Sequence, residues 1–154
     1  MSSLPQITSS ALIGIEAVPI TVEVDIAFGM PKFHVVGLPD AAVRESRERI
    51  RSAIRNSGFS FPRTHITVNL DPADIKKQGP VYDLPVALAI LLSQGEFDRS
   101  TIAGLVVVGE VSLNGEIRPI TGALAASLMA KRCGFSTIMV PKDVSYGALG
   151  ARIV

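Results

Sequence analysis

Cysteine and long apolar runs are both scarce in this sequence. The single cysteine, Cys133, cannot form an internal disulfide, and the start of the chain lacks the basic segment followed by an apolar one that marks a secretion signal. The longest unbroken apolar run, residues 86–92, is far shorter than the roughly 20 residues of a membrane span. We therefore expect a cytoplasmic protein with no membrane contact.

A strong net charge and the common cofactor motifs are also missing. The formal net charge of +1 creates no global field that would draw the chain to nucleic acid. No Gly-x-x-x-x-Gly-Lys-Ser/Thr loop for phosphates occurs, so we expect no cofactor in this segment. His34 and His65 are too far apart in sequence to suggest zinc. Three aspartates fit turn and cap positions at least as well as a magnesium site: Asp71, Asp74 and Asp83.

The length of the chain and its even composition favour one domain. A chain of 154 residues buries about 68–70% of its unfolded surface, which suffices for a core. No repeat or linker divides it, so we predict a single domain over residues 1–154. Residues 151–154 have the pattern of a strand that is just beginning, which suggests that a longer chain continues beyond them.

Alternating β-branched residues predict the first part of the fold. We expect strands over residues 11–15 and 20–28, joined through Val18-Pro19, and a third strand over residues 33–36. A helix should follow over residues 41–56, with Asp40 as its N-cap and Gly58 after its end. Its buried stripe is predicted to contain Val43, Ile50 and Ile54.

Arginines line this helix beside the buried stripe. Five arginines and three carboxylates between residues 40 and 55 leave a net charge of +2. Such a face can bind phosphates or an acidic protein surface, although three or four phosphate contacts give a log-log salt slope of only about −3. The alternative is a solvated face with ordinary helix pairs, such as Glu45 with Arg49. No exposed aromatic platform for bases is evident. The candidate contact residues are Arg44, Arg47, Arg51 and Arg55.

The central stretch combines a strand, a polar loop and the most apolar helix. A strand over residues 65–70 leads through turn formers at 71–79 to a helix that has Asp83 as its predicted N-cap and ends at Gly95. Because residues 86–92 are all apolar, the helix should be covered on most sides. A binding role for Lys76, Lys77 and Tyr82 at its entrance is an alternative to simple packing.

The second half predicts a strand at 105–108, a hairpin, a helix and a strand at 137–140. Asn114-Gly115, flanked by alternating residues, is the strongest short hairpin signal and favours a type I′ turn. Thr121 is the predicted cap of a helix over residues 122–132. The order of elements predicts an α+β or mixed α/β sheet with helices on one face, that is, two layers.

Several phrases resemble one family. They are Val-Val-Gly-Leu-Pro-Asp-Ala-Ala-Val-Arg-Glu at residues 35–45, Arg-Ser-Ala-Ile-Arg-Asn-Ser-Gly-Phe at 51–59, Ile-Thr-Val-Asn-Leu-Asp-Pro-Ala-Asp at 66–74 and Tyr-Asp-Leu-Pro-Val-Ala at 82–87. Together they are similar to the N-terminal domain of the ComM/YifB proteins, which are magnesium-chelatase-like AAA+ ATPases.

This resemblance implies a ribosomal-protein-S-five domain-2-like fold related to the Lon peptidase domain. It also implies an AAA+ domain after the end of this chain that would hold ATP and magnesium, a ring-shaped homo-oligomer, and a role in DNA processing such as branch migration in natural transformation. The domain would then contact its own ATPase domain, DNA or partner proteins. A chelatase-type interaction module and a Lon-type peptidase are the competing functions.

The Lon comparison tests the peptidase function directly. Lon-type peptidases place a serine in a Gly-Pro-Ser-Ala-Gly phrase before the core helix and a lysine just after a Pro-Ile-Gly-Gly phrase. The counterparts here are residues 79–83 and 119–124, but residues 78–86 contain no Ser, Thr or Cys, and the next lysine is Lys131, about two helical turns late. Glu110 and Ser112 then have no catalytic pair to support, and we expect them on the solvent face of the hairpin.

Overall fold

The computed structural model describes residues 4–142 and the backbone of residues 152–153. In chain order the strands are β1 (Gln6–Ile13), β2 (Glu16–Ala27), β3 (Lys32–Val36), β4 (His65–Asp71), β5 (Leu105–Val107), β6 (Glu110–Val111), β7 (Ile117–Arg118), β8 (Thr137–Met139) and β9 (Arg152–Ile153). The helices are α1 (Ala41–Arg44), α2 (Ser46–Asn56), α3 (Asp83–Ser93) and α4 (Ala123–Arg132), with 3₁₀ turns at Pro80–Tyr82 and Arg99–Ile102.

Seven of these strands form one mixed sheet in the order β3-β4-β2-β1-β5-β8-β9. The pairs β1–β2 and β2–β4 are antiparallel, whereas β3–β4, β1–β5, β5–β8 and β8–β9 are parallel. The predicted mixed α/β class is therefore confirmed. The strand predicted at residues 151–154 is present at residues 152–153, and its two end residues lie outside the described part of the chain.

The first two strands are longer than predicted and meet at a different turn. The turn lies at Gly14, where φ is +64°, rather than at Val18-Pro19. Pro19 lies within β2 opposite Ser10. Proline fits there because β4 pairs only with residues 21–27 of β2, so no ladder bond is lost on that side.

Helices cover both faces of the sheet, so the prediction that they lie on one face was wrong. Along β5, Leu105 and Val107 pack in the core that contains α2 and α3, whereas Val106 and Val108 pack in a second core with α4. Successive side chains of a strand point to opposite faces, so α3 and α4 lie on opposite sides. A strand that is apolar at every position is typical of burial on both faces.

The first predicted helix is interrupted at Glu45, which separates α1 from α2. Its N-cap was predicted correctly, since the Asp40 side chain accepts a hydrogen bond of 2.9 Å from the Val43 amide. Val43, Ile50 and Ile54 are buried as predicted.

Two other predicted caps were wrong. Asp83 is the first residue of α3 rather than its N-cap, and its side chain is turned into the protein. The N-cap of α4 is Gly122, in a left-handed conformation with φ +85°, and Thr121 makes no cap bond. Both helices begin with no side-chain cap, so local cap chemistry does not set their start points.

The predicted hairpin is present as β6 and β7, paired with Val111 opposite Ile117. Its turn is not the predicted type I′, because Gly115 (φ +92°) has a positive φ and Asn114 does not. The Gly115 amide donates to the Ser112 carbonyl at 3.0 Å, and the Ser112 amide donates to the Glu116 carbonyl at 2.9 Å. This is a three-residue loop with a glycine in its last position.

Candidate functional site

A cavity of about 580 Å³ opens where the segment before α3 meets the segment before α4. One wall is residues 78–82, and the opposite wall is residues 119–122. Residues 10–12 of β1 and Val108, which follows β5, line it as well. The polar side chains that line it are Ser10, Lys76, Gln78, Tyr82, Glu110 and Thr121.

Asp40 positions the first wall. Its two carboxylate oxygens accept hydrogen bonds of 2.9 Å from the backbone amides of Val43 and Gly79, so one side chain joins the start of α1 to the cavity wall. Backbone bonds of 2.9 Å run alongside, from Asp40 N to the Lys77 carbonyl and from Lys77 N to the Leu38 carbonyl. The wall is therefore held by main-chain contacts rather than left as a free loop.

Gly109 connects the wall to the strand that follows it. Its amide donates to the Val81 carbonyl and its carbonyl accepts from the Leu84 amide, each at 3.0 Å. A Cβ on Gly109 would lie 3.1 Å from side-chain atoms of Leu84 and Ile117, so only glycine fits without a shift of these neighbours. The 3₁₀ turn before α3 is thus clamped against residues 108–110.

The structure brings the two peptidase-like phrases together in this one cavity. Gly79 and Pro80 line it from one side, and Ile120 and Thr121 from the other. Lys131 is exposed in the last turn of α4 and does not line the cavity. Neither of these phrases, residues 79–83 and 119–124, contains a serine or a lysine.

Ser10 lines the cavity without having been predicted as a site residue, whereas Lys76, a predicted candidate, lines it too. Ser10 is 7% exposed, and its alternating position in β1 points it to the cavity side. Within the described part of the chain, no hydrogen bond joins Ser10 or Thr121 to a lysine, whereas an activated nucleophile needs a base within hydrogen-bond reach. Glu110 lines the cavity too, half-buried, so its predicted place on the solvent face was wrong.

Asp83 forms a buried ion pair with Arg49. Arg49 Nε lies 2.7 Å from Asp83 Oδ2, and Arg49 Nη2 lies 3.0 Å from Oδ1, so the pair is bidentate. Asp83 is 1% exposed, and the Arg49 side chain is 23% exposed. Arg49 Nη2 also donates to the Ala42 carbonyl at 2.9 Å, and the Val111 amide donates to Asp83 Oδ2 at 3.3 Å. The pair and its hydrogen bonds therefore join α1, α2 and α3 to β6 of the hairpin.

Burial and ion pairing shift the pKa of Asp83 in opposite directions, and the same holds for Arg49. Burial raises the pKa of Asp83, and the Arg49 guanidinium and the Val111 amide only partly oppose this. The hydrogen bond to Asp83 raises the pKa of Arg49. The predicted pair of Glu45 with Arg49 is not formed, because Arg49 turns to the buried carboxylate instead.

The four candidate arginines remain at the surface of α1 and α2. Arg44 donates to the Pro39 carbonyl at 3.1 Å. Glu48 lies 2.9 Å from Arg47 and 3.9 Å from Arg51. Arg55 is exposed and makes no ion pair with a described residue. Since Arg49 is neutralised by Asp83, the other four arginines stand against Asp40, Glu45 and Glu48, and the net charge of residues 40–55 falls from +2 to +1.

The three candidates at the entrance of α3 have different environments. Lys76 is exposed at the cavity rim, where a ligand can reach it. Lys77 is fully buried and donates to the Pro72 carbonyl, so as a surface contact it was wrongly predicted. Burial lowers the pKa of Lys77, and Asp71 and Asp74 oppose this. Tyr82 lines the cavity but is 2% exposed, and burial together with Asp40 raises its pKa.

The described residues offer neither a cluster of metal ligands nor a helix able to span a membrane. Within residues 4–142, no group of three or more His, Cys, Asp or Glu side chains is placed to hold a metal ion. None of the helices that the structure describes has the length and apolar character of a membrane span.

Comparison with known proteins adds a family to this geometry. The family described as subunit ChlI of Mg-chelatase matches residues 22–144. The chain is 41% identical over 143 residues to the protein YifB of Salmonella typhimurium, which covers 93% of this chain and 28% of that protein. It is 37% identical over 147 residues to the competence protein ComM of Haemophilus influenzae, covering 96% and 29%.

A more distant similarity connects the chain to peptidases. It is 28% identical over 131 residues to the Lon protease of Brevibacillus choshinensis, covering 80% of this chain and 17% of that protein. The chain spans less than a third of the length of these curated relatives.

Proposed function

The chain belongs to the family of subunit ChlI of Mg-chelatase, and from this premise we propose that it is the N-terminal, non-catalytic domain of a ComM/YifB-like AAA+ ATPase that acts in DNA processing. ATP and magnesium would bind in an ATPase domain that follows this segment. The domain would pack on that ATPase domain within a homo-oligomeric ring and contact DNA.

The cavity carries the non-catalytic part of this proposal. The two phrases that resemble a Lon-type site face each other across the cavity, with Gly79 and Pro80 on one side and Ile120 and Thr121 on the other. This supports the inference that the fold retains the frame of such a site. Val81 follows Gly79-Pro80 where a serine would attack, and no lysine of α4 lines the cavity. A frame without an activated nucleophile supports a binding or assembly role.

The arginine face of α1 and α2 supports a contact with DNA. Three arginines lie at this surface: Arg44, Arg51 and Arg55. Among the described residues, only Arg51 of these three has a carboxylate within 4 Å, that of Glu48 at 3.9 Å. Three duplex phosphate contacts correspond to a log-log salt slope of about −3. Such binding is weak for one copy and becomes strong when several copies in a ring act together.

The experiment is a titration of labelled single-stranded, duplex and branched DNA, followed by fluorescence anisotropy at several salt concentrations. The variant Arg44→Ala/Arg51→Ala/Arg55→Ala should lose most of the low-salt affinity and most of the salt slope. The matched control Arg118→Ala/Lys131→Ala/Lys142→Ala removes the same charge from exposed positions elsewhere and should retain the slope. Equal binding by wild type and the first variant would show that the arginine face makes no DNA contact.

A further inference from the structure

The loop between β2 and β3 exposes two large apolar side chains. Phe28 is fully exposed, and Met30 is 85% exposed. The loop is short, since β2 ends at Ala27 and β3 begins at Lys32. Two large apolar side chains exposed on one short loop form a small apolar patch, and such patches are candidate contact sites for another molecule.

Basic side chains surround the same loop. In the sheet His65 pairs with Ala27 on one side and with Lys32 on the other, so it lies at the base of the loop. The Lys32 amide donates to the Thr64 carbonyl at 3.3 Å, and this places the preceding residue, Arg63, beside the loop. Lys32 and Arg63 are exposed and make no ion pair with a described residue.

The side of β3 and β4 that carries His65 continues this basic edge. His34 lies opposite Thr67 of β4, one step along the face from His65. The two histidines are therefore neighbours on one surface, although 31 residues separate them in sequence. Asp25, also opposite Thr67, is the nearest acidic group on this face.

We propose that this loop binds single-stranded nucleic acid, with a base stacked on Phe28 and adjacent phosphates on Lys32 and Arg63. Stacking requires an unpaired base, because the faces of bases in a duplex are already covered. Lys32 and Arg63 supply the charge that a phosphate chain needs. The inference deepens the proposed function by naming the form of DNA, and it uses a surface separate from the arginine face.

The surroundings of the loop favour a nucleic acid over a protein or a membrane. A stable protein interface covers about 800 Å² on each partner, whereas here two apolar side chains stand among glycine, lysine and histidine. A membrane-binding segment needs a broad apolar face on a helix of considerable length. One exposed ring beside unpaired cations is the arrangement used for single strands.

A tryptophan placed at the loop reports the contact directly. The chain contains no tryptophan, so Phe28→Trp introduces its only indole. Titration with a 12-nucleotide oligo(dT) should quench this fluorescence, and a duplex of equal length should leave it nearly unchanged. Leu124→Trp is the control, because Leu124 is exposed on α4 and lies two residues after Gly122, which is next to Leu12 of β1. Leu12 pairs with Ala17 near the start of β2, at the opposite end of that strand from the loop. The indole of this control should not respond.

Charge variants test the phosphate contacts. Phe28→Ala should weaken oligo(dT) binding by about fivefold to a hundredfold, the range expected for one stacked base. Lys32→Ala/Arg63→Ala should reduce the log-log salt slope by about 1.4, which is two single-strand phosphate contacts. Asp25→Asn removes the opposing charge and should tighten binding, an effect that a purely apolar contact would not show.

Three outcomes would overturn the inference. Equal quenching by duplex and single strand would exclude stacking. Absence of quenching while wild type still binds DNA would place the contact elsewhere and leave the proposed function standing. An indole emission that shifts to the blue with protein concentration, without DNA, would make the loop a protein interface.

Discussion

Replacing Arg49 with methionine should destabilise the protein by about 3 kcal/mol at pH 7.5. The change leaves the Asp83 carboxylate buried without its partner, and breaking a buried pair in this way costs about 3–5 kcal/mol. We take the lower end because the Arg49 side chain is 23% exposed. Methionine retains much of the volume, so the loss reports the charge rather than a cavity.

The deficit should depend on pH in a defined direction. Asp83 has a raised pKa even with Arg49 present, and removal of the guanidinium raises it further. Between the unfolded value, about 3.9, and this folded pKa, the folded state holds a proton that the unfolded state lacks. Stability therefore falls by about 1.4 kcal/mol per pH unit as pH rises through that window. The variant should therefore regain stability as the pH is lowered from 7.5 towards the unfolded value of about 3.9.

Urea unfolding followed by circular dichroism, in a pH series from 7.5 down to about 4, measures this. The double variant Arg49→Met/Asp83→Asn has no buried charge and should be more stable than Arg49→Met alone at pH 7.5. Arg55→Met is the matched control at an exposed arginine and should change stability by no more than about 0.5 kcal/mol. A loss below about 1 kcal/mol, or a loss that does not change over the pH series, would show that Asp83 is not left as a buried unpaired charge in this variant.

Three further changes test the frame around the site. Gly37→Ala would place a Cβ 2.1 Å from the Leu70 carbonyl oxygen, at φ +105°, so we expect the free energy of unfolding in urea to fall by about 3 kcal/mol or more. Gly58→Ala is its control: φ is positive there too, but the space is open, and the free energy of unfolding should fall by only about 1–2 kcal/mol. The folded pKa of Lys77 lies below its unfolded value of about 10.4, so between these two values the unfolded state holds the extra proton and the stability of wild type should rise with pH. Lys77→Met removes this contribution, and urea unfolding at pH 8 and 10 should show a smaller rise than in wild type. Ile90→Ala, at a fully buried position, should lower the unfolding free energy by about 2–5 kcal/mol.

Features with local causes were predicted from the sequence. The Asp40 cap, the Asn-Gly hairpin and the strand before the central loop each depend on residues within a few positions of one another. The type of turn was predicted wrongly because the expected two-residue turn and the observed three-residue loop both contain Asn114 and Gly115. They differ only by one residue in the register of the hairpin, which these two residues do not determine.

Features set by distant contacts could not be predicted. Asp83 resembles an N-cap in sequence, but Arg49, 34 residues away, draws it into the interior. Lys77 lies in a polar loop and resembles a surface lysine in sequence. Its side chain is buried because its backbone pairs with that of Leu38, a contact between residues 39 positions apart. The second helical face was missed because a continuous apolar strand such as β5 does not reveal what covers it.

The cavity was foreseen only in part. The family phrases predicted that residues 79–83 and 119–124 correspond to the two halves of a Lon-type site, and the structure places them together. No sequence signal indicated that Ser10 lines the cavity, because the alternation of side chains along a strand does not tell which face of β1 borders a cavity. Phe28 was likewise overlooked, since its position after an apolar strand favoured burial.

The most direct test of the account is whether the cavity cleaves polypeptide. The purified chain would be incubated with an unfolded protein substrate and the products followed by mass spectrometry, beside the variants Ser10→Ala and Lys76→Ala, which remove a hydroxyl and a lysine that line the cavity. We expect no cleavage that differs between wild type and either variant. Cleavage by wild type that either substitution abolishes would show a catalytic site and contradict the non-catalytic role.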